Sequence, residues 1–589
     1  MLFCIMHHTL ANIRNWLTDH DSSVVICSDS DPHCSEIPSK AFSLRSYISG
    51  FEGSFGTMIV TMHEALLWTD TRYYLQVRET LPQVGITPRL LTELDTPQHW
   101  IATNTPHETS LHFFHISVSE FRKYEQHCAP RNCKSYLYYP EELWPDRPPV
   151  DSKPIRVLDS GSSSQVIETI DVIRKQMENV GCSIHLISTL DDIAYITRLR
   201  ASELPYQQVF HAFLVIYPDN VQLFLRDGGQ LTVEAMRRIG ETAIEIKHYF
   251  DIVECVRAFP PEARVLIDPQ RTDAGFIPFI SSDIAYKTQP SSTIRAIKTN
   301  DEIQHLKSTH ILDGVAMVRT IQAIHEADID AMTEIDVAQI CTQYRAQNSD
   351  FIENSFAPIC ASGPHAAMPH FDTENNSSLL KHNSVLLIDT GGQYEHGTTD
   401  ITRVLRIGNS STEVQRDYTL VLKAHIHVLT QEFPIGTTGR DLHIICKSLM
   451  WRQKKNFLHG TGHGVGFALG VHEFPPNIST RNGDTVLSSG MVFSIEPGLY
   501  IEGSHGIRIE NLVYVAPSES SPANANFLRL VSLTLCPYER DLICLEMLSP
   551  QEISWIDYYH EEVYSTLSAH LEEKEQKKLK KLTDPLQTS

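Results

Sequence analysis

Val385-Leu-Leu-Ile-Asp389-Thr-Gly-Gly392, followed after a turn by Gly397-Thr-Thr-Asp400-Ile-Thr-Arg403, is the stretch that decides how this chain is to be read. A short uninterrupted apolar run ending in glycines predicts a buried strand. This one ends on a carboxylate, and a carboxylate taken out of water is costly unless it is paired or bound to a cation. A hairpin through Gly391 and Gly392 would bring Asp400 beside Asp389. Taken singly, each Asp is more often a turn or cap residue, so the decision rests on what accompanies them.

Three further pieces follow. In His459-Gly-Thr-Gly-His463-Gly-Val-Gly466 the histidines are four apart, but four glycines argue against a helix. The segment is therefore not the helical zinc-protease motif; it predicts a loop that folds imidazoles into a site. His472 follows in Val-His-Glu. In Met491-Val-Phe-Ser-Ile-Glu496 and Gly506-Ile-Arg-Ile-Glu510, alternation sets Phe493, Ile495, Ile507 and Ile509 against Ser494, Glu496, Arg508 and Glu510. Both glutamates thus leave their strands on the face opposite the apolar one.

The order Asp389, Asp400, His463, Glu496, Glu510, with the motif around each, resembles the ligand set of the pita-bread metallopeptidases, the methionine aminopeptidase, prolidase and aminopeptidase P group. The resemblance extends toward the N-terminus. Asp31-Pro-His-Cys-Ser-Glu36, Tyr47-Ile-Ser-Gly-Phe-Glu-Gly-Ser-Phe-Gly56, Leu67-Trp-Thr-Asp-Thr-Arg-Tyr73 and Leu190-Asp-Asp-Ile-Ala-Tyr195 are similar to segments of the long, three-domain cytosolic aminopeptidases P. Three positions depart from that pattern: Arg198 replaces Asn, Ala201 replaces Gly, and Phe474, after Val-His-Glu, replaces Gly.

The resemblance implies two consecutive α/β creatinase-like domains followed by a pita-bread catalytic domain. It implies a metal-dependent aminopeptidase that hydrolyses the N-terminal Xaa-Pro bond, with a metal-bridging hydroxide as nucleophile. It assigns Asp389 to one metal, His463 and Glu496 to the other, and Asp400 and Glu510 to both. It also makes Glu496 the acceptor of the water's proton. His370, in Ala-Met-Pro-His-Phe371, and His472 match outer histidines that contact substrate and the oxyanion, His459 matches a further pocket histidine, and Arg508 would hold the carboxylates from behind. Two divalent ions are implied, Mn2+ first, in keeping with a carboxylate-rich ligand set. Prolidase shares the ligands but not the two leading domains, and pita-bread modules that only bind other proteins have lost ligands that are all present here.

Composition agrees with this class. A chain of 589 residues with 41% hydrophobic and 21% charged residues is an ordinary globular protein of several domains. A formal charge of −23, from 72 acidic and 49 basic residues, disfavours nucleic acid and anionic membrane as partners. Peptides with proline in second position, and a second copy of the chain in a homodimer, are the partners the resemblance implies. Met1 to His8 lacks a charged n-region, no apolar run reaches a membrane span, and the Lys/Glu-rich end from Glu572 has no hydrophobic tail, so a cytoplasmic location is expected. The twelve cysteines are irregularly spaced and expected as thiols, with Cys128 and Cys133 in a surface loop.

The Pro-rich stretch 144–154 predicts a linker. Strands are expected at Ser22–Cys27, Thr57–Thr61, Ala65–Asp70, Ser183–Ser188 and Asn220–Leu225, and a helix over Val166–Val180. Asn300 is expected as a helix N-cap, and Thr333 with Asp336 as another helix start. The expected divisions are 1–148, 155–290, 292–545 and a C-terminal helical extension at 546–589.

Overall fold

The structure, a computed structural model, describes residues 2–20, 24–158, 162–226, 231–519 and 526–586. It divides into two compact units, Met1–Ser292 and Thr293–Ser589.

The first unit contains two six-stranded mixed sheets. In the first the spatial order is Thr87–Leu90, Ala65–Thr69, Thr57–Thr61, Val24–Cys27, Ser110–Phe114, Asn132–Tyr136. In the second it is Ile244–His248, Val221–Leu225, Ala212–Ile216, Ile184–Ile187, Arg264–Ile267, Asp283–Tyr286. Numbered along the chain, both sheets run 4-3-2-1-5-6, and the senses of successive pairs agree throughout: parallel, antiparallel, antiparallel, parallel, parallel. The two consecutive α/β domains expected from the resemblance are therefore two copies of one strand order. Their central strands are predominantly apolar because both faces are covered, with His185 of Ile184–Ile187 a buried exception. Val25, Cys27, Met58 and Val60 pack into one core, and Val24, Ile26 and Ile59 into another.

The expected strands are present within a residue or two, although residues 22 and 23 lie outside the described residues. The helix is Ser163–Asn179, capped by Ser162 and Gln165. Cys128 and Cys133 are not in a loop: Cys128 ends the helix Val118–Cys128 and Cys133 lies on strand Asn132–Tyr136. Arg198, in place of the family's Asn, caps helix Leu190–Thr197 with φ 56°, a left-handed conformation that Asn tolerates better.

The second unit is the pita-bread fold. Strand Ser384–Thr390 is central to a sheet with Ile359–Ser362 and Ile401–Ile407. Leu386, Ile388, Leu405 and Ile407 pack with Met317, Ile321 and Val337 of helices Asn300–Glu326 and Glu334–Arg345. Val385, Leu387 and Val404 face the other way, into the core built with helices Thr412–Leu429 and Gly439–Arg452. Period-two alternation therefore places Asp389 on the face away from the first helix pair. A six-stranded sheet, including Val492–Ile495, Asn511–Pro517 and Gly462–Gly464, and the hairpin Gly498–Ile501/His505–Arg508 complete the unit with helices Pro550–Leu567 and Glu573–Leu582.

Helix Asn300–Glu326 is capped by Thr299 rather than Asn300. The Thr299 hydroxyl accepts from the Glu302 N–H, and the Glu302 carboxylate accepts from the Thr299 N–H. Thr333 and Asp336 form the same reciprocal box. Among the described residues no helix is long and apolar enough to cross a membrane.

Candidate metal centre and active site

Asp389 closes the central strand opposite Thr402, and Thr390 pairs with Ile401, so Asp400 enters the neighbouring strand one residue earlier. The turn between them is longer than a simple hairpin, since Gly392–Tyr394 and Gly397–Thr398 form a small ladder of their own. Gly391 is required there: a Cβ would lie 2.0 Å from the Thr399 carbonyl oxygen.

His463 lies on a three-residue strand rather than in the loop expected from its glycines. Those glycines serve close sheet packing. A Cβ at Gly462 would stand 1.8 Å from the Ser494 carbonyl oxygen, and one at Gly464 would stand 2.3 Å from that of Glu473. The strand pairs with Glu473–Ile478 on one side and, through Gly464 and Phe493, with Val492–Ile495 on the other, so Glu496 emerges beside His463. The Glu510 N–H donates to the Thr402 carbonyl at 3.2 Å, bringing the last carboxylate against the strand that follows Asp400.

Ligand atoms of Asp400, His463 and Glu510 all lie within 4.8 Å of one another. His463 Nε2 is 3.5 Å from Asp400 Oδ2 and 3.7 Å from Glu496 Oε1. Arg508 Nη2 donates to Asp389 Oδ2 at 2.5 Å and Nη1 to the Tyr500 hydroxyl at 2.7 Å. Thr402 Oγ1 accepts from Arg508 Nε at 3.3 Å and donates to Glu510 Oε2 at 2.8 Å. His459 Nδ1 is 2.6 Å from the Gly460 carbonyl, which fixes the proton on that nitrogen, and Nε2 accepts from the Tyr500 hydroxyl at 2.9 Å. The His472 ring meets that of His463 edge to face, centroids 4.3 Å apart. His370 is half-buried in the turn after Gly363–Ala367. Thr402 and Tyr500 carry no sequence signal of their own; only their partners identify them.

Burial, and the neighbouring Asp400 and Glu496 carboxylates, push Asp389 up to about 6 although Arg508 opposes the shift. Burial raises Glu496 as well, and raises Glu510 far above the usual range with Asp400, Glu496 and Asp389 adding to it. Burial disfavours charge on His463, yet Asp400 and Glu496 hold its pKa at about 9. Asp389 Oδ1 is buried and accepts no hydrogen bond. Three buried carboxylates, one of them with an orphaned oxygen, and the half-buried Glu496, against one arginine and one histidine, make a donor set that fits divalent cations, whose charge removes the repulsion.

Pairing two creatinase-type domains with a pita-bread unit and an acidic cluster fit for divalent cations defines a class of metallopeptidase. Residues 304–517 match metallopeptidase family M24, residues 10–136 and 146–302 match the creatinase/prolidase N-terminal domain, and residues 526–586 match the C-terminal region of peptidase M24. The chain is 32% identical to aminopeptidase P2 of Arabidopsis thaliana, over 96% of this chain and 87% of that one. It is 31% identical to Xaa-Pro aminopeptidase 1 of Dictyostelium discoideum, over 94% and 91%. The crystal structure of X-prolyl aminopeptidase from Caenorhabditis elegans, described as a cytosolic enzyme with a di-nuclear active site, matches with TM-score 0.92 at 26% identity, covering 98% of this chain and 99% of that one. The chain belongs to metallopeptidase family M24, in its aminopeptidase P branch. The Xaa-Pro dipeptidase of Bacillus anthracis, at 22% identity and TM-score 0.52, shares the fold over 64% of this chain.

Proposed function

We propose that this protein is a cytoplasmic, homodimeric, two-manganese aminopeptidase that removes the N-terminal residue of peptides whose second residue is proline. The observation that carries the reading is the cluster of buried Asp389, Asp400 and Glu510 with His463 and the half-buried Glu496, whose charge calls for cations. Relatives named as Xaa-Pro aminopeptidases, similar over nearly the whole chain, support the substrate class, and the oxygen-rich donor set supports manganese.

In this reading Asp389, Asp400, His463, Glu496 and Glu510 would hold the two ions, Asp389 serving one, His463 and Glu496 the other, and Asp400 and Glu510 available to either. When bound, the ions supply the nucleophile by lowering the pKa of a shared water, and they polarise the scissile carbonyl. Glu496 would accept the proton of the attacking water. His472 and His370 hydrogen-bond the substrate and the developing oxyanion, the kind of contribution worth about 10² to 10⁴ in rate. Arg508 fixes Asp389 so that one oxygen stays free for an ion. His459, packed on Phe457 with centroids 4.9 Å apart, lines the pocket with a ring whose polar atoms are already used. Proline brings no N–H to that wall, whereas any other residue would leave a donor without an acceptor.

We place the two N-terminal domains at 1–148 and 155–290, the catalytic domain at 292–545 and a helical extension at 546–589. Residues 137–155 form neither helix nor strand, in keeping with a linker.

Incubation with a peptide library, with and without Mn2+ and with products read by mass, tests the function. Arg-Pro-Pro is expected to lose its first residue only with metal present, Arg-Ala-Pro to be much poorer, and Xaa-Pro dipeptides to be slow. Preference for dipeptides would make the protein a prolidase, and preference for Met-Ala-Ser a methionine aminopeptidase.

A further inference from the structure

We infer that Glu473, clamped between Arg295 and Lys298, is a positioning residue for His472; the inference rests on the reading of His472 as an outer histidine of the proposed active site. Arg295 Nη1 donates to Glu473 Oε2 at 2.6 Å, and the Lys298 ammonium donates to Oε1 and, at 3.0 Å, to the Arg295 carbonyl. All three side chains are at most 2% exposed. Two cations and one carboxylate removed from water are a poor way to stabilise a fold, because apolar side chains of similar volume do as well without the desolvation. Such a cluster is better explained by what it holds in place.

What it holds is the residue next to His472. The Glu473 carbonyl lies so near Gly464 that a Cβ there would come within 2.3 Å, and Gly464 directly follows His463. The clamp is itself anchored to the strand that leads to Glu496: the Lys298 N–H donates to the Gly490 carbonyl at 2.9 Å and Ile297 bridges to Met491. Glu473 is thus fixed by its backbone to the His463 strand and by its side chain to the Glu496 strand. His472, one peptide bond away, has its ring fixed edge-on to His463. With the Glu473 side chain drawn inward, Phe474 is turned out and remains 39% exposed. The mechanism otherwise leaves Arg295, Lys298 and Glu473 without a task.

Lys298→Met is the variant of choice, since it leaves Arg295 and Glu473 as a one-to-one pair and lowers the buried charge. Metal content, measured by elemental analysis, is expected to stay at the wild-type value. Because a displacement of about 1 Å at a reacting group costs of order 10²-fold, kcat on Arg-Pro-Pro is expected to fall roughly 10- to 100-fold with KM little changed. Lys298→Arg should restore most of it. In a His472→Ala background the same Lys298→Met change should cost no more than about twofold, because the group it positions is gone. An equal loss in both backgrounds, or loss of metal from Lys298→Met, overturns the inference. If the wild type leaves Arg-Pro-Pro uncut, the substrate reading has failed, and the inference is then read from 15N-histidine NMR of zinc-loaded protein. The resonance absent from His472→Ala should shift or broaden in Lys298→Met; an unchanged resonance overturns it.

Discussion

At the scale of single residues, the cluster separates groups that would hold cations from groups that would act on substrate. Asp400 sits between His463 and Glu510, so Asp400→Ala is expected to empty the centre and abolish turnover while Met1–Ser292 stays folded, as checked by elemental analysis and limited proteolysis. His370→Ala should keep bound metal yet lose about 10² to 10⁴ in kcat, measured on Arg-Pro-Pro. Loss of metal together with activity would make His370 a ligand instead. The acidic residues and histidines were legible as candidates only together, because each taken singly reads as an ordinary cap, turn or surface residue and only the order of their motifs points to one site. Thr402 and Tyr500 were not, because their importance comes from hydrogen bonds to Arg508 and Glu510 and to Arg508 and His459, partners that sequence reading does not bring together.

At the scale of elements, alternation was the dependable signal and glycine the ambiguous one. Phe493, Ile495, Ile507 and Ile509 lie in the core, and the opposite faces with Glu496, Arg508 and Glu510 turn to the acidic centre rather than to water. The glycines around His463 were read as loop formers; the structure uses them to let strands approach more closely than a Cβ allows. Gly462→Ala is accordingly expected to destabilise the catalytic unit by on the order of 3 kcal/mol and to weaken metal binding, as thermal melts and metal titration would record. A wild-type melt would mean that the strand can move away from Ser494. The N-cap shifted from Asn300 to Thr299 because both residue types can cap, and the reciprocal bond to Glu302 decides between neighbours.

At the scale of the whole molecule, the charge of the centre couples stability to metal and pH. Asp389, raised by burial to about 6, and Glu496 and Glu510, raised in the same sense, favour the folded metal-free chain below the ordinary carboxylate range and cease to do so as pH climbs through their folded values. His463, held at about 9, contributes below its ordinary value and loses that contribution as pH rises toward 9. Buried histidines such as His33 and His425, whose pKa burial lowers to about 3, act oppositely, but they are present with and without metal and cancel in a difference. The gap in Tm between metal-loaded and metal-free protein is therefore expected to widen by roughly 5 to 10 °C between pH 5 and pH 8 in calorimetry. A constant gap would show that the acidic cluster does not carry the coupling. The sequence by itself determined the class of fold, the order of the candidate ligands and which strand faces carry them, because hydrophobic period and motif order are local properties of a chain. Only the tertiary structure decided that the two sheets of the first unit share one strand order, that His463 sits on a strand, and that Arg508, Tyr500 and the Arg295–Glu473–Lys298 clamp stand behind the site. Those depend on strands far apart in sequence meeting in one register, and the contacts exist only once the sheets have closed on each other.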